Sequence, residues 1–202
     1  MAEGDRFERR RQESRARLLD AALALYVEQG PEGTTIQAIC TRADVAERTF
    51  FNHFPTRDDM VRALAARRLE GLDALLAERT DAAERTVPQV VVGLFDELAD
   101  HLETFGPGYR SLVGDMLRLS WSSSGDAGTA RTGEPYGSFL RLIKEGVARG
   151  EVTDRHPPQT LADVVVGTLV AVLLGWAGDD AFALRTALHD AGLALEDLLA
   201  PR

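Results

Sequence analysis

The chain has 202 residues, 45% hydrophobic and 27% charged, enough for one sizeable core or for a small domain on a larger one. This composition excludes disorder as the main state, and the lone cysteine, Cys40, excludes a disulfide scaffold. The net charge of −9 argues against nucleic acid only as an average, because six arginines face four acids in the first 17 residues, whereas residues 61–202 carry 14 basic and 21 acidic residues.

In chain order the pattern is helical nearly throughout, with no sustained period-two alternation. The expected fold is all-α, with about nine helices. A first helix is predicted from about Arg11 to Gln29, carrying Leu19, Ala22, Leu23 and Tyr26 on one face. Gly30-Pro31 stops it. Before it, an arginine-rich tail is open to two readings, a solvated disordered arm or a reader of phosphates or a minor groove. Thr34 or Thr35 caps a short second helix that turns Ile36 and Ile39 inward. A break at Ala43-Asp44-Val45 leads to a third helix, about Ala46 to His53, which Pro55 ends. Thr56 then caps a long fourth helix reaching roughly Arg79, with Val61, Leu64, Leu69, Leu72 and Leu76 as its apolar stripe.

Five more helices are expected. Val87 to about Thr104 carries Val91, Leu94, Phe95, Leu98 and Leu102, and Tyr109–Leu119 follows. A Ser/Gly-rich loop at 122–128 precedes helices at about Tyr136–Arg149, Thr160–Ala177 and Ala181–Ala200. The longest uncharged stretch, Val164–Gly178, has 15 residues, short of the ~18–20 that cross a bilayer. The opening MAEGDRFERRRQESR has no apolar core, so no signal peptide is expected, and the expected localisation is cytoplasmic.

The segment TTIQAICTRADVAERTFFNHFPTR, residues 34–57, fits helix–turn–helix physics. Ile36, Ile39, Val45, Phe50 and Phe54 supply a buried face that locks two short helices. Glu47, Arg48, Thr49 and Asn52 stay outside, on a helix that a major groove can admit. From periodicity alone, a structural helix pair fits as well.

The first sixty or so residues resemble the DNA-binding domain of the TetR/AcrR family of transcriptional regulators. The resemblance is carried by Thr35, Ile36, Ile39, Ala43, Val45, Thr49, Phe51, His53, Phe54, Thr56, Arg57 and Asp58. It implies a helix–turn–helix domain over residues 1–56 and a helical effector-binding and dimerisation domain over 57–202. Four positions depart from the family pattern. Asp44 replaces the turn glycine, Ala46 the Ser/Thr cap, Phe51 a tyrosine that donates to a phosphate, and Arg57 a phosphate-binding lysine. The resemblance implies phosphate contacts by Thr35, Arg57 and His53, the last as a ring N–H donor. Gln37, Arg48, Thr49 and Asn52 then face the groove, with Arg48 suited to bridge a guanine. Glu47 is open to base contact or to a solvated role.

Further on, Phe95, Phe105, Tyr109, Trp121, Tyr136 and Phe139 are candidates for the walls of an effector pocket; each also reads as core. The penultimate helix is apolar nearly all round. Leu161, Val165, Leu169, Val172, Leu173 and Trp176 form one stripe, and Val164, Thr168 and Ala171 a second face. Pairing with Leu184, Leu188, Ala191, Leu195 and Leu198, and with the same helices of a second chain, would bury both. Cys40 reads as packing. Glu97 and His101 share a face, but two ligands make no metal site. No nucleophile elbow, phosphate loop or HExxH is present, so neither an enzyme, a cofactor nor a metal is expected.

The reading is a homodimeric repressor that binds double-stranded DNA at a near-palindromic operator and is released by a small-molecule effector, with no membrane partner. The alternative is a helical interaction protein that retains the head without specific DNA binding, which Phe51 and Ala46 favour.

Overall fold

The computed structural model describes residues 2–70, 76, 78, 79, 85–122 and 136–201. Every regular element among them is a helix: α1 (Ala2–Gly33), α2 (Ile36–Ala43), α3 (Glu47–His53), α4 (Arg57–Leu69), α5 (Val87–Glu103), α6 (Pro107–Ser122), α7 (Tyr136–Ala148), α8 (Pro158–Gly178) and α9 (Leu184–Leu199). The chain forms two compact units. One holds the residues up to Arg67 with Phe105–Leu119, the other Arg68–Thr104 with Ser120–Arg202. The first unit thus extends past residue 56, because the start of α4 and most of α6 share its core.

That core is built from α1 (Leu18, Leu19, Ala22, Tyr26), α2 (Ile39, Cys40), α3 (Phe50), Phe54, α4 (Met60, Val61, Leu64) and α6 (Tyr109, Leu112, Val113). Helix α1 begins at Ala2, not near Arg11, and residues 2–10 are helical, against the reading of a disordered arm. Ala, Glu, Arg and Gln all propagate helix well, and no proline intervenes before Pro31. The predicted stop is present as a kink, with Gly30 at φ 76° and a short turn through Pro31. Thr34 Oγ1 donates to the Gly30 carbonyl freed there (2.8 Å). Helix α4 opens with a reciprocal cap: Asp59 N donates to Thr56 Oγ1 (3.1 Å), and Thr56 N to Asp59 Oδ2 (3.0 Å). Of the fourth-helix stripe, Val61, Leu64 and Leu76 are buried and Leu69 is half-buried; Leu72 lies outside the described residues.

In the second unit α5 packs on α9, and α8 on α7 and α9. Gly192 lets α9 approach α5 closely, beside Val92 and Phe95. Gly150, at φ 72°, ends α7, and Glu151 N and Val152 N both return to the Gly146 carbonyl (2.8 and 3.2 Å). Glu151 then accepts from Val87 N at the start of α5 (3.1 Å), which ties that turn to a helix N-terminus. The predicted 122–128 loop lies outside the described residues from 123 onward.

One contact inside the first unit tolerates no side chain. A Cβ on Gly108, at the start of α6, would overlap the Tyr26 carbonyl oxygen and lie 2.9 Å from Gly30 N. Gly108→Ala must therefore push α6 off α1. It is expected to lower stability by about 1–3 kcal/mol, read as a lower urea midpoint with unchanged slope.

Candidate nucleic-acid interface

The site begins with a turn. Asp44 adopts the left-handed conformation (φ 51°, ψ 52°), and Asp44 N and Val45 N close onto Thr41 O (3.3 Å) and Cys40 O (3.0 Å). Aspartate thus fills a position that favours glycine, as one of the few residues that tolerate it. Ala46 enters α3 in extended conformation without a side-chain cap, so α3 lacks the hydrogen bond that Ser or Thr would provide. Glu47 in its first turn partly compensates through the helix dipole.

Burial decides which way α3 faces. Phe50 and Phe54 have essentially no exposure, and their rings pack 5.6 Å apart. With that side held in the core, Glu47, Arg48, Phe51 and Asn52 are exposed and Thr49 is half-buried. Phe51 is 48% exposed, its ring edge-on to Phe50 at 5.3 Å. On α2, Thr35 is the N-cap and its Oγ1 accepts from Ala38 N (3.1 Å). Thr35 and Gln37 are both exposed. They border an open concavity of about 530 Å³ lined by Leu25, Thr35, Gln37, Ala38, Thr41 and Arg42. The structure thus places seven of the nine expected DNA-facing residues on the outside of the α2–α3 pair.

The other two are engaged within the unit. Arg57 donates from Nε to the Tyr26 hydroxyl (3.2 Å) and from a terminal nitrogen to the Pro31 carbonyl, with its guanidinium 5.4 Å from the Tyr26 ring centre. It ties the start of α4 to the end of α1. His53 is half-buried, with Nε2 2.8 Å from Ser14 Oγ. Ser14 donates its one proton to the Arg11 carbonyl (2.9 Å), so its oxygen accepts from His53. This network assigns the proton to Nε2 and leaves Nδ1 a buried acceptor without a partner among the described residues. The ring N–H expected to meet a phosphate is held by Ser14. Sequence reading missed Ser14 and Tyr26 as partners. The available signal was spacing: Ser14 stands four residues before the inward-facing Leu18, and so on the same face of α1.

The candidate pocket aromatics divide between the units. Phe105 and Tyr109 stack at 4.2 Å in the first. Phe95, Tyr136 and Phe139 are buried in the second, as core. The Trp121 side chain lies outside the described residues.

Desolvation, and then the charges of Arg11 and Arg15, hold His53 below the ordinary imidazole pKa. The unfolded chain takes up this proton as pH falls through about 6.5, and the folded chain only at lower pH. In that window the unfolded state binds more protons, so stability falls with falling pH. His53→Gln should flatten this part of the profile, measured as urea midpoints of both proteins between about pH 7.5 and 5.5.

Comparison with known proteins agrees with this geometry. The family model described as "Bacterial regulatory proteins, tetR family" matches residues 18–64. The HTH-type transcriptional repressor KstR of Mycobacterium tuberculosis is 31% identical over 175 residues, covering 86% of this chain and 77% of that protein. KstR of Rhodococcus jostii is 35% identical over 74 residues, 37% of this chain; there the match spans only about a third (35%) of the relative. In fold, the FadR repressor of Thermus thermophilus, solved with lauroyl-CoA, superposes with a TM-score of 0.68 at 22% identity, over 93% of this chain and 96% of that one. A helix–turn–helix head matched by the family model, and a relative alike over most of both chains, lead to one conclusion: the chain belongs to the TetR family of bacterial regulatory proteins.

Proposed function

We propose that this protein is a homodimeric transcriptional repressor that binds a near-palindromic operator and is released by a small-molecule effector. The observation that carries the reading is α3 itself. Phe50 and Phe54 are buried while Arg48, Phe51 and Asn52 are exposed beyond a three-residue turn. A short helix held this way enters a major groove with its polar face leading. The name of the KstR relatives, HTH-type transcriptional repressor, points the same way. The role is regulatory, exerted on DNA inside the cell, and not enzymatic.

Arg48 reads a base, and Thr35, Gln37 and Asn52 fix the register around it. Arg57 and His53 act behind them, bracing α4 and α3. Phe51 lays an apolar edge where the family carries a hydroxyl. Residues 57–202 hold the effector, which favours a dimer geometry whose heads no longer match the half-site spacing.

The dimer reading also changes in detail. Leu161, Val165 and Trp176 on α8, and Leu184, Leu188 and Leu195 on α9, all expected at the interface, are buried within the protomer, where α8 packs on α7 and α9, and α9 on α5 and α8. Leu169, Val172, Thr168 and Ala191 are half-buried, and Ala171 is exposed. What is left outside is Val164, Ala171 and Leu174 on α8 with Leu193 and Leu198 on α9. Helix α8 spans 21 residues, long and apolar enough by composition to cross a membrane. Here one face is already committed to the protomer's core, and the exposed face meets its counterpart on a second chain.

Two outcomes test this reading. Arg48→Ala should cost ~1–3 kcal/mol on the operator and relax preference at one base pair per half-site. Equal loss on random DNA would make Arg48 a phosphate contact. Ala171→Arg with Leu174→Glu should cost several kcal/mol of association and yield a folded monomer in sedimentation, with operator affinity near the nonspecific level. Leu188 does not suit this test, because a charge there would disrupt the protomer itself. A double variant that stays dimeric places the interface elsewhere.

A further inference from the structure

Among the described residues of the first unit two large apolar side chains are exposed, Phe7 near the start of α1 and Phe51 on α3. Phe51 is the one that shares a helix with Arg48 and Asn52. It follows Arg48 by three residues and Glu47 by four, so these side chains are neighbours on the outer surface of α3. Its ring has a packed support. It stands nearly perpendicular to Phe50, with 5.3 Å between ring centres and 83° between planes, and Phe50 has no exposure and packs in turn on Phe54. An oriented phenyl ring is thus built into a surface otherwise made of polar side chains.

That ring offers a phosphate nothing. It carries no donor, and laid on the backbone it would strip water from phosphate oxygens without replacing a hydrogen bond. Glu47 argues the same way, because a carboxylate one turn away on the same side is repelled by phosphates. Toward the bases the chemistry reverses. The major-groove edges of the base pairs present hydrogen-bonding groups and one apolar group, the C5-methyl of thymine. Of the exposed side chains of α3, Glu47, Arg48 and Asn52 are charged or hydrogen-bonding, and Phe51 alone is apolar.

We propose that Phe51 is a specificity-determining residue, which selects thymine at one position of each half-site by packing its ring on the C5-methyl group. This rests on the reading of the protein as a DNA-binding regulator. It assigns a base contact to a position where the resemblance implies a phosphate contact, made through a hydroxyl that this chain lacks. The methyl group is the whole of the signal, so a pyrimidine without it forfeits the contact while keeping the same Watson–Crick pairing. Burying one methyl against the ring is worth about fourfold in affinity.

The test uses the full chain and the duplex that it selects from a random pool. Each thymine of the half-site is replaced in turn by deoxyuridine, which lacks only the methyl group, at both symmetric positions. At one thymine the unmodified chain should lose affinity about fourfold per half-site. Phe51→Ala should bind the thymine and uridine duplexes equally, with its helix content retained by circular dichroism because the side chain is exposed. Phe51→Leu, which keeps an apolar side chain, should retain part of the uridine effect. Arg48→Ala should bind more weakly overall and keep that effect in full. If no thymine is sensitive to uridine, the proposal is overturned. It is overturned too if the sensitivity persists in Phe51→Ala, which would give the methyl contact to another residue. Equal weakening of selected and scrambled duplexes by Phe51→Ala, with no uridine effect, would place the ring on the sugar–phosphate backbone. If the unmodified chain selects no sequence at all, the regulator reading fails as well; if it selects one that is indifferent to uridine, only the role of Phe51 fails.

Discussion

Two phenylalanines control the rest of the head. Burying Phe50 in α3 and Phe54 just after it takes two aromatic rings out of water. A helix that short has no stability of its own, because its nucleation cost exceeds its few hydrogen bonds. It exists because its rings are held. Once they are held, the rotation of α3 is set, and Arg48 and Asn52 must face outward. The left-handed turn at Asp44 and the uncapped start at Ala46 are costs that this burial offsets.

Polar groups then brace what the rings position. His53 ties the end of α3 to α1 through Ser14, and Arg57 ties α4 to the end of α1 through Tyr26 and Pro31. Both sit at positions where the family resemblance implies DNA contact. In this chain both side chains make hydrogen bonds within the first unit. Much of the negative charge lies elsewhere. In the second unit Arg185 bridges Asp100 and Glu103, His189 meets Asp96, and Arg79 pairs with Glu97. These pairs absorb part of the acidity of α5, so the net charge of −9 says little about the surface of the head.

Local signals in the sequence are reliable where one residue decides the backbone. Gly30-Pro31, the Ala43–Val45 break and the Thr56 cap are all where the residues place them. Signals that depend on a distant partner are not legible. Spacing on α1 shows that Ser14 faces inward, but nothing near His53 or Arg57 pairs them with Ser14 or Tyr26, which lie 39 and 31 positions away. Helix α8 shows a different limit. Being apolar nearly all round, it has no periodicity to say which stripe faces the protomer's own core, so the inward stripe reads equally well as an interface. The start of α1 is misplaced by pattern because charged residues such as Arg and Glu mark solvent exposure and also favour helix.

The central claim is that α3 presents a groove-reading face twice, once from each protomer. Hydroxyl-radical footprinting on the duplex that the protein selects from a random pool tests it directly. Two symmetric protected patches are expected, their centres one helical turn apart or a small multiple of it, about 34–36 Å per turn. A single unsymmetrical patch, or uniform protection with no selected sequence, would contradict it.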